Sequence, residues 1–462
     1  MLRSLVSLLL LSSLILWTDG APLSAAPKNV LIVVNDDQGQ QAGCYGDRLA
    51  KTPHLDALAA DGTRFDLAFC TSASCSPSRS VILSGLYGHA SGQYGLAHAD
   101  HNFHTRPFVV GLPNLLQAAG YRTLLAGKHH VIPESQFAFE KSANARLNLR
   151  STVELAERVE AFLKEPDDRP FFIYYCPIDP HRAAQGYGND KRYPGVTEVE
   201  YDPAQIAIPA WLPDLPETRA DLAGFYQAIA RADQGLGRVI QALKATGHYD
   251  DTLILCLADN GPPFPGAKTT LYEPGVRLPL VVRSPEQQNR GVVSQSLVSW
   301  VDLTPTVLAW TGAKPPKYPL SGRSILPLLE GQAVAGWDHV FFSHNFHEVT
   351  MYYPMRGIRT RKYKCLRNLA HPLSFPFASD LWESPTWQAT LQKSLTKYGQ
   401  REVAAYLHRP AVELYDLETD PGETRNLAGQ VEYSEVEAEL LGRIEQWQRT
   451  TGDPWVVKYS HE

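Results

Sequence analysis

The sequence predicts an α/β protein: a large, mostly parallel sheet covered by helices on both faces, followed by a smaller C-terminal part with an antiparallel sheet and a helix. Three observations carry that prediction. The apolar runs NVLIVV (29–34), PFFIYY (170–175) and TLILCL (252–257) show no polar alternation, as strands buried on both faces require. Amphipathic helical stretches separate them, the order expected of parallel strands joined by crossovers. From about Val340 the texture changes to short runs, VFFSHN, MRGIRT and KYKCLRN, which read as antiparallel strands.

In chain order, Arg3 precedes an apolar run from Leu5 to Trp17 and then the small residues APLSAAP. That run is shorter than the roughly 20 residues needed to cross a bilayer, so 1–26 reads as a secretory signal, with an uncleaved membrane anchor as the alternative, and the mature chain as exported, periplasmic or secreted, with no membrane attachment after cleavage. The first strand ends in Asn35, Asp36 and Asp37, and 53–62 has helical spacing with Gly62 as a stop. Cys75 opens a helix running through Arg79 to Leu86. A helix over Leu112–Ala119 precedes a strand over Arg122–Ala126, which delivers Gly127, Lys128, His129 and His130. After a helix at Thr152–Lys164, the second apolar strand ends in Ile178–Arg182 (IDPHR). Residues 187–216 read as an irregular, functional loop, Arg219–Leu243 as a helix, and the third strand ends in Ala258, Asp259, Asn260 and Gly261. A closing helix spans Ser434–Thr450, with Ser434 and Glu437 at capping-box spacing. The expected division is 1–26 signal, 27–336 catalytic domain and 337–462 C-terminal α+β part.

Composition sets the outer bounds. The 462 residues are 44% hydrophobic and 20% charged, an ordinary globular balance. A net charge of -6 argues against nucleic acid as a partner, but a local cationic patch can still hold an anion. The cysteines at 44, 70, 75, 176, 256 and 365 form no disulfide framework, and no required disulfide is expected. Cys70, Cys176 and Cys256 read as buried free thiols.

Chemistry concentrates in CSPSRSVILSG at 75–85, where a cysteine is followed by Pro77 and Arg79 and the segment closes on Ser84 and Gly85. A residue at the N-terminus of that helix faces free amides and the positive end of the dipole, which favour an anion. Asp36, Asp37, Asp259 and Asn260 make an oxygen-only set suited to calcium or magnesium, without the Cys and His cluster of a zinc site. Taken singly, each acidic strand end also suits a plain turn.

The 75–85 segment resembles the sulfatase signature, in which the cysteine is oxidised to formylglycine. With NDD (35–37), GKHHV (127–131), DPHR (179–182), LADNG (257–261) followed by Lys268, and ELYDLETDPGETRNLA (413–428), the chain resembles the sulfatase family over essentially its whole mature length. GLYGHASGQYGL (85–96), DDRPFFIYY (167–175), ADNGPPFPGAKTTLYEPG (258–275) and HEVTMYYPMR (347–356) are similar to its N-sulfoglucosamine sulfohydrolase branch, the heparan sulfamidases.

The resemblance implies an alkaline-phosphatase-like sandwich and a set of roles. A maturase converts Cys75 to formylglycine, whose hydrate offers one hydroxyl to attack sulfur and a second whose deprotonation expels sulfate. Asp36, Asp37, Asp259, Asn260 and residue 75 bind one calcium, with magnesium left open. Arg79 orients the hydrate, Lys128 and Lys268 clamp the sulfate, His130 takes a proton and His181 protonates the leaving atom; His129 has at most a supporting role. Arg182, His347, Glu348 and Arg356 are candidates to contact a sulfated saccharide, and the branch implies a homodimer. Lys268, where the branch can carry arginine, and EPGVR (273–277) point instead toward an O-sulfatase or arylsulfatase. A phosphoester or phosphonate hydrolase and a non-catalytic glycan-binding protein are the remaining alternatives.

Overall fold

The strand β1 (Asn29–Asn35) is buried at every position, and its side chains alternate between two cores. Val30, Ile32 and Val34 enter the core on one face of the sheet, Leu31 and Val33 the core on the other. The computed structural model describes residues 28–457, so the leader-like run lies outside the described residues. Around β1 the sheet adds β2 (Thr63–Phe65), β3 (Arg122–Gly127), β4 (Lys141–Ser142), β5 (Phe171–Cys176), β6 (Thr252–Ala258), β7 (Leu280–Arg283) and β8 (Val292–Ser294). Their spatial order is β4-β3-β5-β1-β6-β7-β2-β8. Strands β3, β5, β1 and β6 are mutually parallel, with Val30 opposite both Phe172 and Leu253. Strand β7 runs against both of its neighbours. The four central parallel strands therefore deliver their C-terminal ends, Gly127, Cys176, Asn35 and Ala258, to one edge of the sheet, where open α/β sheets hold ligands.

Helices α1 (Pro53–Ala60), α3 (Thr152–Leu163) and α4 (Pro216–Ala245) bring Leu55, Leu58, Leu155, Val159, Leu236 and Val239 to one face of this sheet. On the opposite face, α2 (Cys75–Ser84) packs Val81, Ile82 and Leu83 beside Trp300 and Val307. Helix α2 is shorter than expected because Gly85 adopts φ 68° and its N–H bonds the Val81 carbonyl, an αL stop that glycine allows without strain. Helix α4 exceeds its expected span at both ends, opening on Pro216, whose missing N–H costs nothing in a first turn. Before it, the irregular 187–216 region contains one short 3-10 helix, Pro203–Gln205, among turns and bends.

The C-terminal sheet is antiparallel in the order β9 (His339–His344), β10 (Met355–Thr360), β11 (Tyr363–Asn368) and β12 (Val412–Asp416). One face receives Leu440 and Ile444 of α5 (Ser434–Thr450) against Ile358, Cys365 and Leu414. Phe342, Met355, Leu366 and Tyr415 join the core of the large sheet. Helix α5 starts at Ser434, but the capping box does not form. Ser434 Oγ donates to the Val431 carbonyl and Glu437 Oε2 accepts from Gly429 N, because a short turn at Val431–Tyr433 runs straight into the helix and leaves no extended cap residue. All six cysteines are free thiols. Among the described residues no helix is long and apolar enough to cross a membrane.

Candidate active site

Cys75 is the first residue of α2, and all ten residues of that helix are buried. The preceding Ser74 makes no side-chain cap; its Oγ pairs with His347 Nδ1 at 2.8 Å, tying the start of α2 to the loop after β9. The Cys75 thiol is pushed well above its ordinary pKa by burial, so it stays protonated 3.8 Å from Asp37 Oδ1. An unmodified thiol in this place is a poor nucleophile, since reactivity needs the thiolate.

Asp36 and Asp37 leave the end of β1, and Asp37 is held at φ 66°, an uncommon conformation for a residue with a side chain. Asp36 pairs with Lys128 Nζ at 2.6 Å and lies 3.5 Å from Arg79 Nη2. Burial opposes its charge, but Lys128, His181 and Arg79 outweigh that and hold the carboxyl well below the usual range. Asp259, after β6, takes Arg79 Nε at 2.9 Å and accepts the N–H groups of Asp37 and Asn260 at 3.0 and 2.8 Å. Its burial, and then the charge of Asp36, push it up to about 7. Lys128 is presented by Gly127, whose φ of 112° and lack of a β-carbon let the chain turn against the Cys176 carbonyl.

Lys268 is the hub of the other side. Its Nζ stands 2.8 Å from Asp37 Oδ2, 2.8 Å from Asp380 Oδ2 and 3.3 Å from His181 Nε2. His181 Nδ1 faces the Arg182 carbonyl at 2.6 Å, so Nδ1 carries the proton and Nε2 is the acceptor toward Lys268 when the ring is neutral. Burial and the neighbouring Lys268 lower the pKa of His181. The loop that carries His181 is itself fixed: Asp179 is gripped by Arg150 and Arg231, and Arg150 Nη2 donates to the His181 carbonyl at 2.8 Å. His130, also at positive φ (60°), pairs through Nε2 with His98 Nδ1 at 2.5 Å, while its Nδ1 is buried without a partner. Burial and Lys128 lower its pKa well below the ordinary value.

Four carboxylates, Asp36, Asp37, Asp259 and Asp380, thus meet three fixed cations, Arg79, Lys128 and Lys268, leaving one negative charge over. Asn260 Oδ1 is buried with no hydrogen-bond partner, a cost of about 1–3 kcal/mol unless something else binds it, and Asp36 Oδ1 accepts no hydrogen bond and has only Arg79 Nη2 nearby at 3.5 Å. Asp36, Cys75 and Asp259 place one ligand atom each within 4.8 Å of one another, as do Asp37, Cys75 and His181. Hard oxygens without hydrogen bonds, surplus negative charge and a carboxyl raised toward neutrality are what a divalent cation would relieve.

The structure therefore brings together Asp36, Asp37, Cys75, Arg79, Lys128, His130, His181, Asp259, Asn260 and Lys268. Two of the expected saccharide contacts are held by carboxylates of the chain itself. Arg356 is fully buried and holds Asp453 with Nε and Nη2 and Asn345 Oδ1 with Nη2, so it ties β10 to the segment after α5 rather than reaching a substrate. Arg182 is a buried partner of Asp221, with Nη1 to Oδ1 at 2.7 Å and Nη2 to Oδ2 at 3.1 Å, stacked over Tyr187 and Phe264. His347 is buried against Ser74, and Glu348 Oε1 accepts Ser379 N and Oγ at 2.8 and 2.7 Å. Both residues brace the site. His129 packs edge-on to Phe139, away from these contacts. Asp380 and His98 escaped the sequence reading, since neither sits in a motif and Asp380 meets Lys268 across 112 residues of chain.

Comparison with known proteins agrees with this geometry. Residues 28–313 match the family model described as sulfatase, and 267–394 match the model for the C-terminal part of N-sulphoglucosamine sulphohydrolase. The chain is 40% identical to N-sulphoglucosamine sulphohydrolase of Homo sapiens, over 94% of this chain and 92% of that protein. It is 25% identical to an N-acetylglucosamine-6-O-sulfatase of Bacteroides thetaiotaomicron, over 92% of this chain and 87% of that protein. Among solved structures, one in complex with its substrate D-glucosamine-2-N,6-O-disulfate superposes with TM-score 0.69 at 21% identity, covering 93% of this chain and 99% of that one. A putative sulfatase from Bacteroides thetaiotaomicron superposes with TM-score 0.71 at 20% identity, covering 95% of each chain. These last two establish the alkaline-phosphatase-like fold, and the human relative and the family model establish the rest: the chain belongs to the sulfatase family, as a sulfamidase-like sulfatase.

Proposed function

We propose that this protein is an exported sulfohydrolase that removes N-linked sulfate from glucosamine residues of heparan- or heparin-type glycans. The observation that carries the reading is the likeness to the human sulfohydrolase through both halves of the site, including the C-terminal block that supplies Lys268, His347 and Asp380. The proposal includes conversion of Cys75 to formylglycine by a maturase and one divalent cation, calcium, with magnesium suited to the same oxygens. Asp36, Asp37, Asp259, Asn260 and residue 75 would hold that cation, which would polarise the sulfate oxygens as a Lewis acid. The division into a catalytic part to 336 and a C-terminal part from 337, and a homodimer, belong to the same reading.

The chain's own residues account for the remaining chemistry. Arg79, locked by Asp259 and the Lys128 carbonyl, holds the hydrated side chain at position 75 in one orientation. Lys128 and Lys268 bind the sulfate oxygens and spread the charge that builds up in the transition state, a type of contribution worth roughly 10²–10³ in rate per donor. His181 Nε2 is placed to protonate the departing nitrogen once it carries its own proton. His130 Nδ1, buried and unpartnered, is free to take the proton whose loss expels sulfate.

One observation favours a second reading, O-sulfate hydrolysis: a lysine at 268 and EPGVR beside it, which look closer to the general family. The two readings separate on purified enzyme assayed for sulfate release from N-sulfoglucosamine and from 6-O-sulfated N-acetylglucosamine. A higher kcat/KM for the sulfamate supports the N-sulfo assignment. Preference for the ester removes it and leaves the sulfatase intact.

A further inference from the structure

We infer that Asp380 selects a sulfamate over a sulfate ester, by accepting a hydrogen bond from the substrate's N–H. The inference rests on the N-sulfo reading above and adds the residue that would read the nitrogen.

Asp380 lies on the turn Ser379–Trp382, whose first N–H and hydroxyl are both held by Glu348. Its Oδ2 takes Lys268 Nζ at 2.8 Å, and the same Nζ lies 3.3 Å from His181 Nε2. The carboxylate thus stands beside the cation that would hold the sulfate and the imidazole that would protonate the leaving atom, next to where the breaking bond must lie. Its other oxygen, Oδ1, receives no hydrogen bond from the described residues. The Asp36, Asp37 and Asp259 side chains are 0% exposed, whereas that of Asp380 is 20% exposed, so among these four carboxylates Asp380 is the one a substrate can reach.

The two substrate classes differ at the bridging atom. A sulfamate nitrogen bears a hydrogen before cleavage, and the amine it becomes is an ammonium near neutral pH. The bridging oxygen of an ester bears no hydrogen and turns lone pairs toward any acceptor. A fixed carboxylate therefore attracts the first and repels the second, which is specificity by both a favourable contact and a penalty. In the net reaction one sulfamate anion and one water give one ammonium and one sulfate dianion. The S–N bond breaks, the nitrogen gains its protons by way of His181 and water, and Asp380 is unchanged throughout. A hydrogen bond to a charged acceptor gives a discrimination of roughly 10- to 100-fold.

The experiment compares wild type with Asp380→Asn, each as full-chain enzyme with conversion of Cys75 checked by peptide mass. The readout is the ratio of kcat/KM for N-sulfoglucosamine to that for 4-nitrophenyl sulfate. The ratio should fall at least tenfold, Asp380→Glu should restore part of it, and inhibition by glucosamine should weaken at least tenfold, more than inhibition by inorganic sulfate. Equal losses on both substrates, or an unchanged ratio, overturn the assignment and leave Asp380 as a support for Lys268. If Asp380→Asn does not fold, Glu348→Gln, which loosens the same turn, should lower the ratio, and no change there is equally fatal. A wild type that cleaves the ester but not the sulfamate overturns the N-sulfo reading itself, a result distinct from a wild type that cleaves the sulfamate with an Asp380-independent ratio.

Discussion

At the scale of single residues, the site works by opposition: every buried charge has a partner of the other sign, and Asp36, Arg79 and Lys268 have two each. Lys268→Ala would leave the buried Asp37 and the nearby Asp380 facing each other without the shared cation. Because the lysine would bind sulfate whatever atom bears it, the loss should be at least about 100-fold in kcat/KM on sulfamate and ester alike. A loss of that size on the ester, which Asp380→Asn would spare, distinguishes a sulfate clamp from a reader of the nitrogen, and because Lys268 also holds Asp380 the sulfamate should suffer at least as much. His181 sets the pH dependence. Burial and Lys268 hold its pKa below the ordinary 6.5, and an acid must be protonated to act, so activity falls as pH rises through that lowered value. In the profile of kcat/KM, which reports the free enzyme, the descending limb should lie below pH 6.5. His181→Gln should abolish that limb and cost roughly 10²–10⁴ in rate.

At the scale of elements, the strands do the placing. Parallel strands β3, β5, β1 and β6 end together, so residues separated by as many as 231 positions, Asp37 and Lys268, meet within 2.8 Å. This much was legible in the sequence, because an unbroken apolar run fixes a buried strand and the polar residues that follow it mark its end. The partners of arginines were not legible. Arg182 and Arg356 lie in distinctive blocks and look like substrate contacts, yet each is claimed by a carboxylate, Asp221 or Asp453, that no local pattern connects to it. The Arg356 pair, wholly buried with Nε to Oδ2 at 2.5 Å, fastens the end of the chain to β10. Asp453→Asn should therefore cost about 3–5 kcal/mol at neutral pH by leaving a buried guanidinium uncompensated. Burial opposes the charge of Asp453, but Arg356 outweighs it and lowers the carboxyl to about 2. Its stabilising share is then full above the unfolded value near 4 and is lost as pH falls toward 2, so the gap between wild type and variant in urea should narrow by roughly 1 kcal/mol at pH 3. A gap that stays constant with pH would rule this out.

At the scale of the whole molecule, both faces of the large sheet must be closed by helices, and the closure on the α1, α3 and α4 side depends on a carboxyl group. Asp233 of α4 accepts the N–H groups of His54 and Leu55 in the first turn of α1, at 3.0 and 2.8 Å, and so joins two helices that lie far apart in sequence. Burial pushes it up to about 7, against the pull of those two donors. The folded protein therefore retains a proton on Asp233 between pH 4 and 7 where the unfolded chain has lost it. Stability from this group is greatest at low pH, declines as pH rises through that window and is flat above it. From pH 5 to pH 8 the decline amounts to about 2–3 kcal/mol. Asp233→Asn cannot ionise and offers one acceptor oxygen in place of two, so it should be less stable than wild type at pH 5, by about 1–2 kcal/mol for the lost hydrogen bond. As pH rises to 8 the wild type pays for a buried charge that the variant lacks, and the difference should shrink and then reverse. Paired urea titrations at the two pH values measure this directly. If the variant is worse by the same amount at both, Asp233 titrates as an ordinary carboxylate, and the contact between α1 and α4 carries its charge without penalty.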